Sequence, residues 1–208
     1  MFGNKKMPGG WSYSDMYIPS WIAVNLLTTA LFTIGTVLAA YREQGVLRRY
    51  QATPVHSWMV LGAYMLYGTL IFLISAVVIV VFGWSVYHLD APKYPLSVIT
   101  GLLLSILALL PFGLFLTSLA KNSRTATAIS SLFLNLMLFL SGATFPLEMM
   151  PSILQKAAKI LPLYYVVDLL RRTWNESSIW DCGRDVTVLI GIAAASIVLS
   201  IRFFRWGD

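Results

Sequence analysis

The chain has 208 residues, of which 58% are hydrophobic and 12% charged, against about 45–50% and about 25% for soluble domains. That leaves too little charge to cover a surface and too much apolar mass for one small core. An ordinary water-soluble globule is excluded, and a mean hydropathy of +0.74 marks an integral membrane protein. The net charge of +6 bears first on topology in such a chain, ahead of nucleic-acid binding. The single cysteine, Cys182, leaves no internal disulfide framework, and no His/Cys spacing suggests a metal site.

A hydrocarbon core of about 30 Å needs roughly 20 apolar residues per helix. Residues 1–17, with Lys5, Lys6 and Gly9-Gly10, lack the apolar run of a signal peptide and read as an external segment. The rest, 18–208, reads as one transmembrane domain, an all-α polytopic bundle with spans expected at 18–41, 58–82, 95–120, 125–147 and 186–206. In the fifth, Arg202 and Arg205 snorkel to the interface beside Phe203, Phe204 and Trp206. Asn25, Thr28, Thr29 and Thr33 follow helical spacing in the first span, and Asn135 lies midway along the fourth. Such groups in hydrocarbon usually serve as packing glue; the sharper alternative is a substrate path through Asn25, Thr28, Thr29 and Asn135. Pro111, followed by Gly113, is expected to kink or loosen the third span.

Two connections carry information. After the first span, a short helix would set Val46, Leu47 and Tyr50 on one face and spread Glu43, Arg48 and Arg49 round the rest. Thr53-Pro54 then reads as an N-cap with proline at the first helical position, opening the second span. Such a helix suits a cytoplasmic partner; the bland alternative is a basic loop that only fixes orientation. Between the fourth and fifth spans, 151–161 and 164–174 alternate apolar and charged residues at helical period and are separated by Pro162. Two short external helices in the outer interface, within 151–174, fit this pattern. A sixth span there would bury Lys156, Lys159, Asp168, Arg171 and Arg172 in lipid. Asn175-Glu176-Ser177 also matches a glycosylation sequon, a triplet common by chance.

Orientation follows from the short loops. Arg42, Arg48, Arg49, Lys121, Arg124, Arg202 and Arg205 would share one side, with only Lys5, Lys6 and Lys93 in short segments opposite. The richer side is cytoplasmic, which places the N-terminus outside and the C-terminus in the cytoplasm. No ionisable residue lies deep in a clean span, which argues against an ion-coupled carrier. The two histidines, His56 and His88, fall in loops on opposite sides, so they form no catalytic pair. No phosphate-binding Gly-x-x-x-x-Gly-Lys-[Ser/Thr] loop occurs, so the chain has no recognisable ATP site and no expected cofactor.

Tyr17-Ile-Pro-Ser-Trp leading into the first span, and Glu43-x-Gly45-x-Leu47-x-Arg49-x-x-x-Thr53-Pro54 after it, resemble permease subunits of ABC type-2 exporters. So does Phe139-Leu-Ser-Gly-Ala-Thr-Phe-Pro146, followed by Pro151, Leu161-Pro162 and Asp168-x-x-Arg171. That type includes drug-resistance permeases of the daunorubicin-exporter kind and polysaccharide exporters. The resemblance implies a plasma-membrane permease, not itself an enzyme, that exports a drug, lipid or glycan-lipid. It also implies a separate ATP-binding subunit, a homo- or heterodimer of permeases, and no nucleic acid. Glu43, Gly45, Leu47, Arg48, Arg49, Thr53 and Pro54 would form the coupling helix, with Glu43 in its first turn and Gly45 admitting the partner's surface. Family members usually carry six spans, so a first span looks absent here. An incomplete permease and a non-transporting membrane scaffold are the alternatives. Single cysteines at Gln51 and Tyr87, in a Cys182→Ser background, should label from opposite sides of intact cells; labelling from one side would overturn the topology.

Overall fold

The structure, a computed structural model, describes residues 13–47, 56–87, 89–145 and 147–203. α1 (Tyr13–Thr28) passes into a π-helical segment (Thr29–Thr36) and then α2 (Val37–Glu43), which together make one long apolar rod. α3 (Ser57–Tyr87), α4 (Pro95–Ser118) and α5 (Ser123–Leu140) follow. Then come two short helices, α6 (Ser152–Ala158) and α7 (Pro162–Asn175), and finally α8 (Gly183–Phe203). Five helices are long and apolar enough to cross a membrane, and no strand occurs among the described residues. This is the helical bundle the sequence predicts. Its boundaries differ where turns intervene: α5 stops at Leu140 because Gly142 adopts φ +80, a conformation glycine enters freely. The last span begins earlier than expected because a Ser178–Asp181 capping box starts a helical turn that runs into α8.

α4 is the central helix, buried against α8, the π segment and α7. Small residues set its distances. A Cβ on Gly113 would stand 2.5 Å from the Ala30 carbonyl oxygen, and one on Gly35 would stand 2.4 Å from Thr117 Cγ2. At Gly113 backbone meets backbone, and at Gly35 the backbone meets the Thr117 side chain, as in close helix pairs within membranes. Pro111, expected to kink or loosen the span, does not end the helix. α4 runs unbroken through that residue, Pro111 is buried, and its carbonyl accepts the Ser200 hydroxyl of α8 at 3.3 Å. Neighbouring packing holds the helix where the missing N–H would otherwise release it.

The two short helices lie at one end of the bundle and are too short, at 7 and 14 residues, to span about 30 Å. α7 buries Leu163, Val166, Val167, Leu169 and Leu170 and spends its polar side chains on the helices beneath. Pro19 lies inside α1 and has no N–H, so the Asp15 carbonyl four residues earlier loses its helical donor. Asn175 Nδ2 supplies one at 2.9 Å and donates to Arg171 O at 3.1 Å. Both amide protons of Asn175 are thereby engaged in the fold. Arg171 donates from Nε to Met16 O at 3.1 Å and Ser20 Oγ at 2.5 Å, and from Nη2 to Gly142 O at 2.9 Å. Trp174 Nε1 donates to Asp90 O at 3.2 Å, and Arg172 pairs with Asp185 at 3.5 Å. One helix thus ties α1, the α3–α4 and α5–α6 connections, and α8.

Two stability tests follow from these contacts. Arg171→Ala removes charge-assisted bonds to backbone oxygens and should cost on the order of 1.5–3 kcal/mol, read as a lower melting temperature in detergent. Gly113→Val should cost about 1–3 kcal/mol by overpacking, whereas Gly191→Ala, with nothing within 4 Å of its added Cβ, should melt like the parent.

Candidate functional site

The loop end of the bundle is built around two consecutive residues at the end of α2. α4 ends at Ser118 and α5 begins at Ser123, so the connection is tight and leaves free carbonyls on one helix and free amides on the other. Arg42 donates to Ser118 O at 3.3 Å and to Ala120 O. Glu43 Oε2 accepts Ser123 N at 2.9 Å and Ser123 Oγ at 2.7 Å. Each charge therefore faces the helix terminus of opposite sign. Asn122 completes the start of α5 by accepting Thr125 N at 2.8 Å.

This placement corrects the expected role of Glu43. It does not open a helix of its own; it ends α2 and caps the start of α5. The reason is Gly45, whose φ of +72 terminates α2, with Gln44 N bonded to Ala40 O at 2.9 Å. A Cβ on Gly45 would meet nothing within 4 Å, so its glycine character is required by the turn and not by a crowded backbone. Beyond the turn, Leu47 folds back and is fully buried, beside Gly35, Leu38, Ala39 and Thr117 round a void of about 10 Å³. The loop is thereby anchored in three places: on α4 by Arg42, on α5 by Glu43, and in the base of the bundle by Leu47. Arg48, Arg49, Thr53 and Pro54 lie outside the described residues.

The polar groups read as a substrate path do not converge. Asn25 and Thr28 line a lateral groove of about 480 Å³ between α1 and α3, with Trp21, Val78, Phe82 and Tyr87 among its walls. Asn25 Oδ1 accepts the Ser75 hydroxyl at 2.7 Å, and Thr28 Oγ1 donates back to Val24 O at 2.9 Å. Thr29 is buried. Asn135 stands on the exposed side of α5, where its amide donates to Ser131 O at 2.7 Å, and it is not among the groove residues. Among the described residues no cluster of three or more His, Cys, Asp or Glu forms a metal cage. Sequence reasoning missed Ser123 and Arg42 as partners in the site. The signal was available in Asn122-Ser123, a capping pair at a helix start.

The geometry is testable apart from any activity. Glu43→Ala should speed amide hydrogen exchange at Ser123 and Arg124, and Lys121→Ala should leave it unchanged; equal rates in all three proteins would refute the cap.

Nodulation protein J of Bradyrhizobium diazoefficiens is 28% identical over 205 residues, 94% of this chain and 75% of that protein. Nodulation protein J of Rhizobium leguminosarum bv. trifolii is 29% identical over 204 residues, again 75% of its length. A protein of Escherichia coli (strain K12) named "Probable multidrug ABC transporter permease YbhR" is 25% identical over 199 residues, 93% of this chain and 53% of that one. Residues 10–202 match the family described as ABC-2 family transporter protein, and the chain belongs to that family of ABC transporter permeases.

Proposed function

We propose that this chain is the membrane permease of an ATP-driven exporter, that a separate ATPase subunit docks on its 42–55 loop, and that its cargo is hydrophobic or amphiphilic. The loop end faces the cytoplasm of a plasma-membrane protein and the α6–α7 cap faces outward, in keeping with the excess of basic residues at the loop end. The observation that carries the reading is the Arg42–Glu43 bridge. Force applied to the loop reaches α2, α4 and α5 together, because charged bonds of about 2.7–3.3 Å join their ends. A loop that merely fixed orientation would need its charges but not these geometric partners.

Two copies of the permease, identical or related, complete the path. α5 is a poor lipid-facing helix: little of it is buried, and its exposed residues include Thr125, Thr127 and Asn135 beside Leu132 and Phe139. Polar side chains in hydrocarbon gain by meeting another helix or a polar cargo, so these residues support a subunit contact that also lines the route. The groove holding Asn25 and Thr28 is apolar with few polar groups and within the size range of ligand sites. It is a second place where an amphiphile's chain could be held.

The reading is tested with Glu43→Ala, Gly45→Leu and Gly45→Asn, each co-expressed with the ATPase subunit. A left-handed residue other than glycine or asparagine costs about 1–2 kcal/mol, so Gly45→Leu distorts the turn whereas Gly45→Asn keeps it. Glu43→Ala and Gly45→Leu should insert normally, lose transport and retain less ATPase on purification, while Gly45→Asn transports. Parental transport by both disruptive variants, with the ATPase still bound, would overturn the coupling assignment.

A further inference from the structure

The first span is not one regular helix. Its middle, Thr29–Thr36, is π-helical over eight residues, whereas π-helix mostly occurs as a single turn inserted in an α-helix. An i→i+5 bond encloses one residue more than the α-helical bond, so the segment holds surplus chain relative to its neighbours. Nothing in TALFTIGT breaks a helix outright; Gly35 is its weakest helix former, with the three threonines above it. The cause is therefore tertiary. Ala30 is pressed on Gly113 of α4, Gly35 on Thr117 of α4, and Ile34 on Gly68 of α3. The Ser130 hydroxyl of α5 donates to Leu31 O at 3.2 Å, within the π segment. Thr28 and Thr36 return hydroxyl bonds to carbonyls four residues earlier at either end, contacts that bend helices and loosen their ladders.

Both halves of the rod are tied elsewhere. The outer half is held by Arg171 and Asn175 at Asp15, Met16 and Ser20, and the inner half by Arg42 and Glu43 on α4 and α5. If the two anchored ends move relative to one another, the interior of this rod has to absorb the difference. We infer that Thr29–Thr36 is a register hinge, which passes its surplus residue between π and α forms and so turns one half of the span against the other. Shifting one residue into α-helix rotates the attached half by about 100° and moves it about 1.5 Å along the axis. The residues re-aimed are those of the groove, Trp21, Asn25 and Thr28. The hinge depends on the proposed coupling only for what drives it, and its existence is measurable in the permease alone.

Spin labels on Trp21→Cys and Tyr41→Cys, both at exposed positions, bracket the segment in a Cys182→Ser background. Pulsed distance measurements on this protein in lipid nanodiscs should resolve two components. Ser130→Ala, which withdraws the donor to Leu31 O, should change their ratio at least twofold toward the α form. Deleting Thr33 takes out the surplus residue and should leave a single narrow component. One narrow distribution, shared by the parent and Ser130→Ala, would overturn the hinge whether or not the deletion variant inserts. ATPase co-purification and transport are not read here, so failure of the coupling assignment is a separate result.

Discussion

Inside hydrocarbon a helix satisfies its own backbone everywhere except at its ends and its interruptions, because no water is present to take the remaining groups. Several polar and charged side chains near the ends of this bundle answer that constraint. Arg42 takes carbonyls left by the end of α4, and Glu43 takes the first amide of α5. At the opposite end Arg171 and Asn175 take carbonyls of α1 and of the turn after α5. Mechanical linkage between helices is a consequence. The side chains that make the helix ends tolerable also join them into one body.

The two ends differ in what they join. At the cap, α7 bonds to four other parts of the chain, so its motion is shared by α1 and α8. At the loop end the linkage passes through two adjacent residues and a turn that depends on Gly45. A partner acting on that short loop would have leverage on three helices, which suits a protein whose family works as the membrane half of an ABC transporter. The π segment lies between the two linkages, in the helix common to both.

Much of this was legible from residues in order. The five apolar runs, the break at Pro162, and the amphipathic character of 164–174 follow from local pattern and appear in the structure with shifted boundaries. Glu43 and Gly45 stand out in the sequence, but not the local roles the structure gives them. A carboxylate in a short basic loop could serve its own helix or another, and the choice falls on Ser123, eighty positions away.

Sequence by itself determined that this is a helical membrane protein with these spans, since hydropathy and turn chemistry act over a few residues. Tertiary structure alone decided how each span is rotated about its axis. α3 is apolar round its whole circumference, so nothing local says which side meets α1. That rotation puts Asn25 and Thr28 in one groove and Asn135 on another face, and lets Pro111 sit in an unbroken helix. It also brings Gly113 onto Ala30, where the first span gives up α-helical register. Contacts of this kind depend on two backbones meeting at van der Waals distance, and no single stretch of chain carries that information.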